Sequence, residues 1–350
     1  MPIKVLVVDD SALMRKHLRG ILEEGGDFIV TTARDGRDAL VRVAEDDPDV
    51  ITLDINMPVM DGLECLSHIM TDYPRPVIMV SSLTNEGAVA TFEAMELGAV
   101  DYVLKPGGTV SLNIREVSKE ICAKVRAAAR SRRRTSTSRR STKPAAVRPT
   151  TKKPATSLSS ASVGLVLIGV STGGPSTLET ILTELPADFP CPILVSQHMP
   201  ARFTGVFAQR LNNLCALNVK EVTGPTPLQV GEILIARGES DVIVGKRVGK
   251  LMALNMPPDS SLWHPSVDRM VHSALEHFDP KNLIGVELTG MGYDGAEAMA
   301  KLHAGGGRTI AESEDSAVVF GMPKELIERG GAEVILPADK IAAQLRSWLR

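Results

Sequence analysis

The sequence predicts an α/β protein with two doubly wound domains, the first around a five-stranded parallel sheet and the second around a mostly parallel sheet. Three observations support this prediction. Short β-branched runs alternate with longer segments whose apolar residues recur at helical spacing. At roughly 100 to 200 residues per domain, a chain of 350 residues is long enough for two cores. A segment rich in Ser, Thr, Arg, Lys and Pro separates the two halves.

That segment sets the expected boundaries: a first domain at 1–125, a linker at 126–160 and a second domain at 161–350. From 121 to 153 the chain has 12 basic residues and no acidic one, although its net charge is -3. With few large apolar residues the linker should be flexible. Its charge fits either solvation beside acidic domains or docking to an acidic partner or nucleic acid. No aromatic residue interleaves with the arginines, so binding of single-stranded nucleic acid is not expected.

The first domain shows five strand and helix repeats in order. The predicted strands cover residues 3–8, 28–32, 50–53, 77–80 and 100–103. A last helix, marked by Ile114, Val117, Ile121 and Val125, runs on into the linker. Such repeats predict parallel strands joined by helical crossovers.

The second domain repeats the theme. Its predicted strands cover residues 163–169, 193–196 and 283–288, with short central strands around 233–235, 242–244 and 251–254. In open sheets of this class, functional groups collect at the carboxyl ends of the strands.

Polar residues end four strands of the first domain. They are Asp9, Asp10, Asp54, Ser81, Ser82 and, after the fifth strand, Lys105. Close carboxylates repel one another unless a cation is present, and oxygen ligands suit Mg²⁺. Asp54 could then attack a phosphoryl donor, with Lys105 pairing to the new phosphoryl oxygens. The alternative, that each Asp merely caps a helix, explains single positions better than the whole set.

The residues that carry a family resemblance in this domain are Val7-Val8-Asp9-Asp10-Ser11, the run from Leu53 to Gly62, Val80-Ser81-Ser82 and Lys105-Pro106. Residues 1–125 thereby resemble the receiver domains of two-component response regulators. The resemblance implies a flavodoxin-like fold and phosphorylation of Asp54. It also implies Mg²⁺ held by Asp10, Asp54 and the Asn56 carbonyl, with Asp9 in support.

The same resemblance implies a set of switch residues. Lys105 is the cation of the site, and Tyr102 is the aromatic residue that changes rotamer on activation. Either Ser81 or Ser82 supplies the switch hydroxyl, and alignment at the strand end favours Ser81.

A glycine-rich turn follows the first strand of the second domain. Gly169-Val170-Ser171-Thr172-Gly173 fits the G-x-S-x-G pattern, with a predicted helix beginning near Pro175. A tight turn of this kind exposes a serine nucleophile, but a helix cap or a phosphate-binding loop would look alike.

Two further strand ends supply a base and an acid. His198 follows the strand at 193–196, and Asp294 lies in a glycine-rich turn after the strand at 283–288. Ser171, His198 and Asp294 together predict Ser-His-Asp hydrolysis, with the backbone amide of Thr172 binding the oxyanion. The order Ser, His, Asp differs from that of α/β-hydrolases, which indicates another fold with convergent chemistry.

The motifs that identify the second domain are Ser171-Thr172-Gly173-Gly174, Gln197-His198-Met199-Pro200, Pro265-Ser266-Val267-Asp268, Leu288-Thr289-Gly290-Met291-Gly292, Asp294-Gly295-Ala296 and Phe320-Gly321-Met322-Pro323. From Val163 onwards the chain resembles the chemotaxis protein-glutamate methylesterase (CheB) family. The resemblance implies hydrolysis of glutamyl methyl esters on chemoreceptors with release of methanol, often with deamidation of glutamines. No cofactor is expected for the esterase.

The resemblance also implies partners and regulation. A chemotaxis histidine kinase would phosphorylate the receiver and stimulate the esterase, and methylated chemoreceptors would be the substrates, in chemotaxis or a sister pathway. Three places depart from the usual pattern: Arg237, the pair Trp263-His264, and Tyr293 beside Asp294. We interpret these departures as affecting receptor choice more than chemistry.

The location and two rival functions complete the predictions. Four widely spaced cysteines and the lack of a leader or a membrane-spanning run predict a cytoplasmic protein without membrane insertion. The rivals are a phosphorylation-gated DNA-binding regulator and a receptor-binding scaffold, both without hydrolase activity. The first has no recognisable helix-turn-helix, and neither explains Ser171, His198 and Asp294.

Overall fold

The computed structural model describes residues 2–24, 26–105, 114–135, 156–157 and 164–349. The chain forms two compact units, residues 1–143 and residues 144–350. Most of the predicted linker, and with it the predicted flexibility, lies outside the described residues. Within the described ranges, no helix is both long and apolar enough to cross a membrane.

The first unit contains one sheet with the strand order β2-β1-β3-β4-β5. Its strands are β1 (Ile3–Val8), β2 (Phe28–Ala33), β3 (Val50–Asp54), β4 (Val77–Ser81) and β5 (Asp101–Leu104). Its helices are α1 (Ala12–Glu24), α2 (Gly36–Asp46), α3 (Gly62–Asp72), α4 (Asn85–Glu96) and α5 (Ile114–Thr135). Every neighbouring pair of strands is parallel, which confirms the predicted sheet.

The strands of this unit are apolar runs because helices cover both faces of the sheet. All five residues of β3 and all five of β4 are buried. Asp35, Asp61 and Thr84 cap α2, α3 and α4, each side chain accepting a hydrogen bond from a first-turn amide. These caps fix the loops at the carboxyl edge of the sheet. Helix α5 continues to Thr135, past the position at which the sequence places the end of the domain.

The second unit is built around a seven-stranded sheet with the order β17-β16-β15-β7-β8-β12-β9. The strands of the unit are β6 (Thr156–Ser157), β7 (Leu165–Val170), β8 (Ile193–Gln197), β9 (Asn218–Val222), β10 (Thr226–Pro227), β11 (Gln229–Val230), β12 (Glu232–Ala236), β13 (Asp241–Arg247), β14 (Lys250–Met256), β15 (Leu283–Glu287), β16 (Arg308–Glu312) and β17 (Val334–Leu336). All pairings in the large sheet are parallel.

In the described residues of this unit, six α-helices and a short 3₁₀ turn at Pro280–Asn282 accompany the strands. The helices are α6 (Gly174–Leu182), α7 (Ala201–Leu214), α8 (Val267–Leu275), α9 (Ala296–Ala304), α10 (Met322–Glu328) and α11 (Ala338–Trp348). The prediction of a mostly parallel α/β domain is confirmed.

Some strands differ from the sequence prediction. The sequence analysis did not predict β9, β16 or β17, and two of these, β9 and β17, lie at the edges of the large sheet. Strand β9 contains Lys220 and Glu221 and so shows no continuous apolar run, and β17 is an apolar run of only three residues. Of the short central strands, β12 joins the large sheet, whereas β13 and β14 form an antiparallel hairpin in a separate sheet with β10.

The strand order reverses between β1 and β3 in the first unit and between β7 and β15 in the second. Loops diverge at such reversals and leave a crevice outside the carboxyl ends of the strands. Asp9 and Asp54 lie at the first reversal. Ser171 and the loop that carries Asp294 lie at the second.

Candidate functional site

The crevice of the first unit gathers carboxylates around one ammonium group. Lys105 Nζ lies 2.7 Å from Asp54 Oδ2 and 3.3 Å from Asp9 Oδ2. Asp9 and Asp54 are buried, whereas Asp10 is exposed beside them. One carboxylate oxygen from each of the three acids falls within 4.8 Å of the others. The predicted acidic cluster is therefore brought together.

In this cluster, burial and the charge of the ion-pair partner act in opposite directions on the pKa of Asp54 and on that of Lys105. Burial raises the pKa of the Asp54 carboxyl above its usual value, and the hydrogen bond and charge of Lys105 offset this only in part. For Lys105 burial acts to lower the pKa, but the bond to Asp54 and the charges of Asp54 and Asp9 raise it overall. Lys105 accordingly stays a cation at neutral pH.

The donor set suits a hard cation. Asp9 Oδ2 is buried and receives no hydrogen bond from the described residues. The Asn56 amide donates to Asp54 Oδ1 at 3.4 Å, which brings the backbone of residue 56 to the same carboxylate. An oxygen-only set, in which Asp9 Oδ2 has the ammonium of Lys105 3.3 Å away as its ion-pair partner, matches the preference of Mg²⁺.

The predicted switch residues line the same region. Ser81 is buried and donates a hydrogen bond to the Gly87 carbonyl at 3.1 Å, whereas Ser82 Oγ lies 3.3 Å from Thr84 Oγ1. Tyr102 is buried, and the Lys124 ammonium lies 4.9 Å from its ring centroid. Which serine acts as a switch stays a prediction.

In the second unit, glycines bring Ser171 to the carboxyl edge of β7. Gly173 has φ +77°, and a Cβ atom there would meet Val318 at 2.6 Å. A Cβ atom on Gly174 would lie 2.0 Å from Gln197 Oε1. The tight turn from β7 into α6 therefore requires both glycines. The Ser171 amide donates to the Thr289 carbonyl, which ties this turn to the loop after β15.

His198 and Asp294 meet at this crevice. His198 Nε2 lies 2.8 Å from Asp294 Oδ2, and the two side chains are 9% and 4% exposed. The His198 amide donates to the Val170 carbonyl, so the histidine is tied to the residue before Ser171. The other ring nitrogen, Nδ1, is buried and has no hydrogen-bond partner among the described residues.

Asp294 is held as an anion at the N-terminus of α8. Its Oδ1 accepts from the Ser266 hydroxyl at 3.1 Å and the Asp268 amide at 3.0 Å, and its Oδ2 accepts from the Val267 amide at 2.7 Å. Burial acts to raise the pKa of Asp294, but the His198 bond and charge and the amide bonds lower it overall. The first turn of a helix adds its partial positive charge to this effect.

Asp268 makes the reciprocal connection. Its Oδ1 accepts from the Ala298 amide at 2.9 Å, in the first turn of α9, whose own N-cap residue is Gly295. Asp294 thus binds the start of α8 while Asp268 binds the start of α9. The acid of the site is fixed by two helices.

Candidate oxyanion donors lie beside Ser171. The Thr172 carbonyl accepts from Thr289 Oγ1 at 2.8 Å, while the Thr172 amide makes no hydrogen bond within the described part of the chain. An unpaired amide next to the serine is available to a ligand oxygen.

Several neighbours of the site have no predicted role in the sequence analysis. Ser266, Val267 and Asp268 appear there only as a resemblance motif. Trp263 and Tyr293 are noted only as departures from the usual family pattern. The Trp263 ring is nevertheless stacked on the His198 ring, with the two centroids 5.9 Å apart. Contact with His198 could not be foreseen because the two residues are 65 positions apart in the chain.

Comparisons with known proteins match each of the two units to a family. The family described as CheB methylesterase matches residues 166–345, and the family described as response regulator receiver domain matches residues 5–115. A crystal structure of the Thermotoga maritima CheB methylesterase catalytic domain is 40% identical and covers 53% of this chain and 99% of that one, with a TM-score of 0.52.

Two similar proteins extend over nearly the whole chain. The protein-glutamate methylesterase/protein-glutamine glutaminase 3 of Rhodospirillum rubrum is 54% identical over 99% of this chain and 96% of its own length. The protein-glutamate methylesterase/protein-glutamine glutaminase of Caldanaerobacter subterraneus subsp. tengcongensis is 50% identical over 97% of this chain and 95% of its own length. With these matches, the chain belongs to the CheB methylesterase family and carries a response regulator receiver domain before its catalytic part.

Proposed function

We propose that this protein is a phosphorylation-activated methylesterase that hydrolyses glutamyl methyl esters on chemoreceptors and deamidates receptor glutamines. The observation that carries the proposal is the 2.8 Å contact between His198 Nε2 and Asp294 Oδ2 at the strand edge that bears Ser171. The names of the relatives from Rhodospirillum rubrum and Caldanaerobacter subterraneus state both activities.

Ser171 is the proposed nucleophile and His198 its base. Because Nε2 of His198 is bound to Asp294, Nδ1 is the ring atom left to take the serine proton. Ser171 Oγ then bonds to the ester carbon, and the carbonyl electron pair moves onto the oxygen, next to the Thr172 amide. Asp294 remains ionised, as its lowered pKa favours, and orients the imidazolium.

Two steps follow: loss of methanol and then hydrolysis of the acyl group bound to Ser171. The bond from carbon to the methoxy oxygen breaks, and the imidazolium protonates that oxygen to release methanol. His198 next deprotonates a water molecule, and the hydroxide attacks the acyl carbon. The bond from that carbon to Ser171 Oγ breaks, and the imidazolium returns its proton to Oγ, which frees the glutamate side chain and Ser171. With a glutamine side chain the same sequence releases ammonia.

Asp54 is the proposed phosphoacceptor that raises the esterase rate. Its carboxylate oxygen attacks the phosphorus of a phosphohistidine on the partner kinase, the bond from phosphorus to the histidine nitrogen breaks, and Lys105 pairs with the transferred oxygens. Asp9, Asp10, Asp54 and the Asn56 carbonyl would hold Mg²⁺, which when bound neutralises charge on the phosphoryl group. We assign Ser81 and Tyr102 to the switch that follows.

The proposed compartment is the cytoplasm, where kinase and receptor signalling domains would meet the enzyme. The four free cysteines are all buried, which supports a reducing compartment. Nucleic acid has no role in the proposed reaction.

The experiment that tests the function is methanol release from membranes carrying methylated receptors, with and without Mg²⁺ and a small phosphodonor. We expect release by the full chain, stimulation by the donor only with Mg²⁺, and loss of release in Ser171→Ala. Full release by Ser171→Ala would refute the proposed mechanism. Salt-sensitive binding to duplex DNA without ester hydrolysis would support a DNA-binding regulator instead.

A further inference from the structure

The indole of Trp263 covers one face of the His198 ring. The two rings are parallel within 1°, with centroids 5.9 Å apart, which is an offset stack. The Tyr293 ring meets the indole edge-on, with centroids 4.9 Å apart and an interplanar angle of 87°. Trp263 is therefore held between the base and an aromatic neighbour of the acid.

The loop of the acid is shaped to admit this indole. Gly292, two residues before Asp294, has φ +97°, and a Cβ atom there would lie 2.5 Å from Trp263 Cζ2. A side chain at position 292 would therefore be excluded by its backbone conformation and by the indole. The indole of Trp263 therefore packs against Gly292, the Tyr293 ring and the His198 ring.

One short segment contacts both the acid and the base. Ser266 donates its hydroxyl to Asp294, while Trp263, three residues earlier, stacks on His198. Asp241, fully buried, anchors the segment through the Ser266 amide at 2.7 Å and His264 Nδ1 at 3.0 Å. Arg269 pairs with the other oxygen of Asp241 at 2.6 Å. The position of the indole is thus built into the fold.

We infer that Trp263 is a positioning residue that holds the plane of the His198 imidazole, with Nε2 on Asp294 and Nδ1 left to take the Ser171 proton. This inference rests on the proposed function and names a further determinant of the same reaction. Within the described residues, the ring nitrogens of His198 make one hydrogen bond, the one to Asp294. A single bond leaves rotation of the ring about that bond unrestrained, and the stacked indole restrains it.

The stack also favours the state of the ring formed during reaction. His198 becomes a cation when it takes the serine proton, and a cation is attracted to the π face of an indole. An interaction that strengthens as the transition state forms raises kcat rather than lowering KM. Loss of the indole face should therefore appear in kcat.

The test compares four full-length proteins on methylated receptor membranes: wild type, Trp263→Leu, Trp263→Phe and Trp348→Leu. Trp348 is the matched control, because it is the other tryptophan of the chain and stacks on Arg308, with the guanidinium carbon 4.0 Å from the ring centroid. We expect Trp263→Leu to lose about five- to tenfold in kcat, the range of an aromatic stack, with KM changed less than about twofold. Trp263→Phe should recover most of the rate, and Trp348→Leu should keep it.

Two results would overturn the inference: wild-type kcat in Trp263→Leu, or a change confined to KM, which would make the indole a substrate-binding surface. Thermal melting of each variant checks folding. If Trp263→Leu melts early, kcat of Trp263→Leu and Trp263→Phe is compared below the melting temperature of both; equal losses in the two variants would overturn the inference, because Trp263→Phe keeps an aromatic face against His198. Full release by Ser171→Ala would instead refute the proposed function itself.

Discussion

The two crevices contain buried carboxylates whose pKa values are shifted in opposite directions. Asp54 in the first unit is 1% exposed and Asp294 in the second is 4% exposed, so burial acts to raise the pKa of both carboxyls. Yet the pKa of Asp54 is raised and that of Asp294 is lowered. The difference lies in the donors around each carboxylate.

Asp294 receives four hydrogen bonds from the described residues, from His198, the Ser266 hydroxyl and the amides of Val267 and Asp268. Asp54 receives a bond from Lys105 at 2.7 Å and a long one from the Asn56 amide at 3.4 Å. A carboxylate that orients a base is best saturated with donors, because it must neither move nor react. A carboxylate that must attack phosphorus needs oxygen lone pairs left free.

The largest expected effect is that of Asp294→Asn. The amide has one accepting oxygen, whereas both carboxylate oxygens accept two bonds each, and it has no charge to stabilise the imidazolium. We expect kcat for methanol release to fall about ten-thousand-fold, as in other serine hydrolases that lose this charge. Steady-state assays on methylated receptor membranes measure it.

The matched control at the other crevice is Asp54→Asn, which should leave the unstimulated rate near that of wild type. A loss in Asp294→Asn of only a few fold would contradict the view that saturation of this carboxylate serves the base.

The next effect is loss of stimulation in Asp54→Ala. Removal of the carboxylate removes the proposed phosphoacceptor, so the ratio of esterase rates with and without phosphodonor and Mg²⁺ should become about one, while the basal rate remains. The measurement is methanol release at saturating donor. Equal stimulation in mutant and wild type would place the phosphoryl group elsewhere.

The sequence was sufficient to predict which strand ends bring polar side chains together. β-branched runs gave nine strands of the two large sheets to within a few residues, among them β1, β7 and β15. Parallel strands expose their carboxyl ends on one edge, so Asp9 and Asp54, and likewise His198 and Asp294, were expected to be neighbours. The structure brings Asp9 and Asp54 together around Lys105 and puts His198 in direct contact with Asp294.

The donors to Asp294 could not be predicted in the same way. Ser266 and the amides of Val267 and Asp268 reach Asp294 only because α8 begins at that point, and no periodicity in the chain encodes where a helix start packs. The Trp263 stack is hidden for the same reason. The departures at Trp263 and Tyr293 suggested receptor choice, whereas the structure places the Trp263 ring against His198.

A smaller effect is expected from Ser266→Gly, which removes one donor to Asp294. Glycine is a tolerated N-cap residue, so the helix should lose only a few tenths of a kcal/mol while Asp294 loses the hydroxyl. We expect kcat to fall about tenfold, the low end of the value of one hydrogen bond to a charged group, because three donors to Asp294 remain. Assays of kcat with parallel thermal melting measure both quantities.

The control for Ser266→Gly is Ser273→Ala, on the same helix. The Ser273 hydroxyl bonds to Val244 and Met270 and not to Asp294, so its loss should lower the melting temperature without a specific loss of kcat. If Ser266→Gly lost stability but no activity, the hydroxyl would serve the helix alone.

Glu287 extends the comparison to a carboxyl without donors. It ends β15 beneath the turn of Asp294, is fully buried, and neither of its oxygens has a hydrogen-bond partner among the described residues. Burial, and then the charges of Asp294 and Asp268, raise its pKa well above the usual value. From no donors to four, the pKa of these three buried carboxyls is shifted well upward, upward and downward in turn, so more hydrogen-bond donors accompany a more stable anion.

The smallest expected effect, on stability alone, follows from this state. A carboxyl that binds its proton more tightly in the folded chain stabilises it fully below the unfolded pKa, about 4.5, and loses that contribution as pH rises towards the folded pKa. Glu287→Gln cannot lose a proton, so its stability relative to wild type should improve with pH, by at most about 1.4 kcal/mol per unit. Melting temperatures of both proteins at pH 6 and pH 8 measure this.

Glu312→Gln should instead destabilise at both pH values, because the Glu312 carboxyl accepts bonds from Thr289 and Ser316. A difference between Glu287→Gln and wild type that stays constant with pH would mean that Glu287 does not hold its proton more tightly in the folded chain.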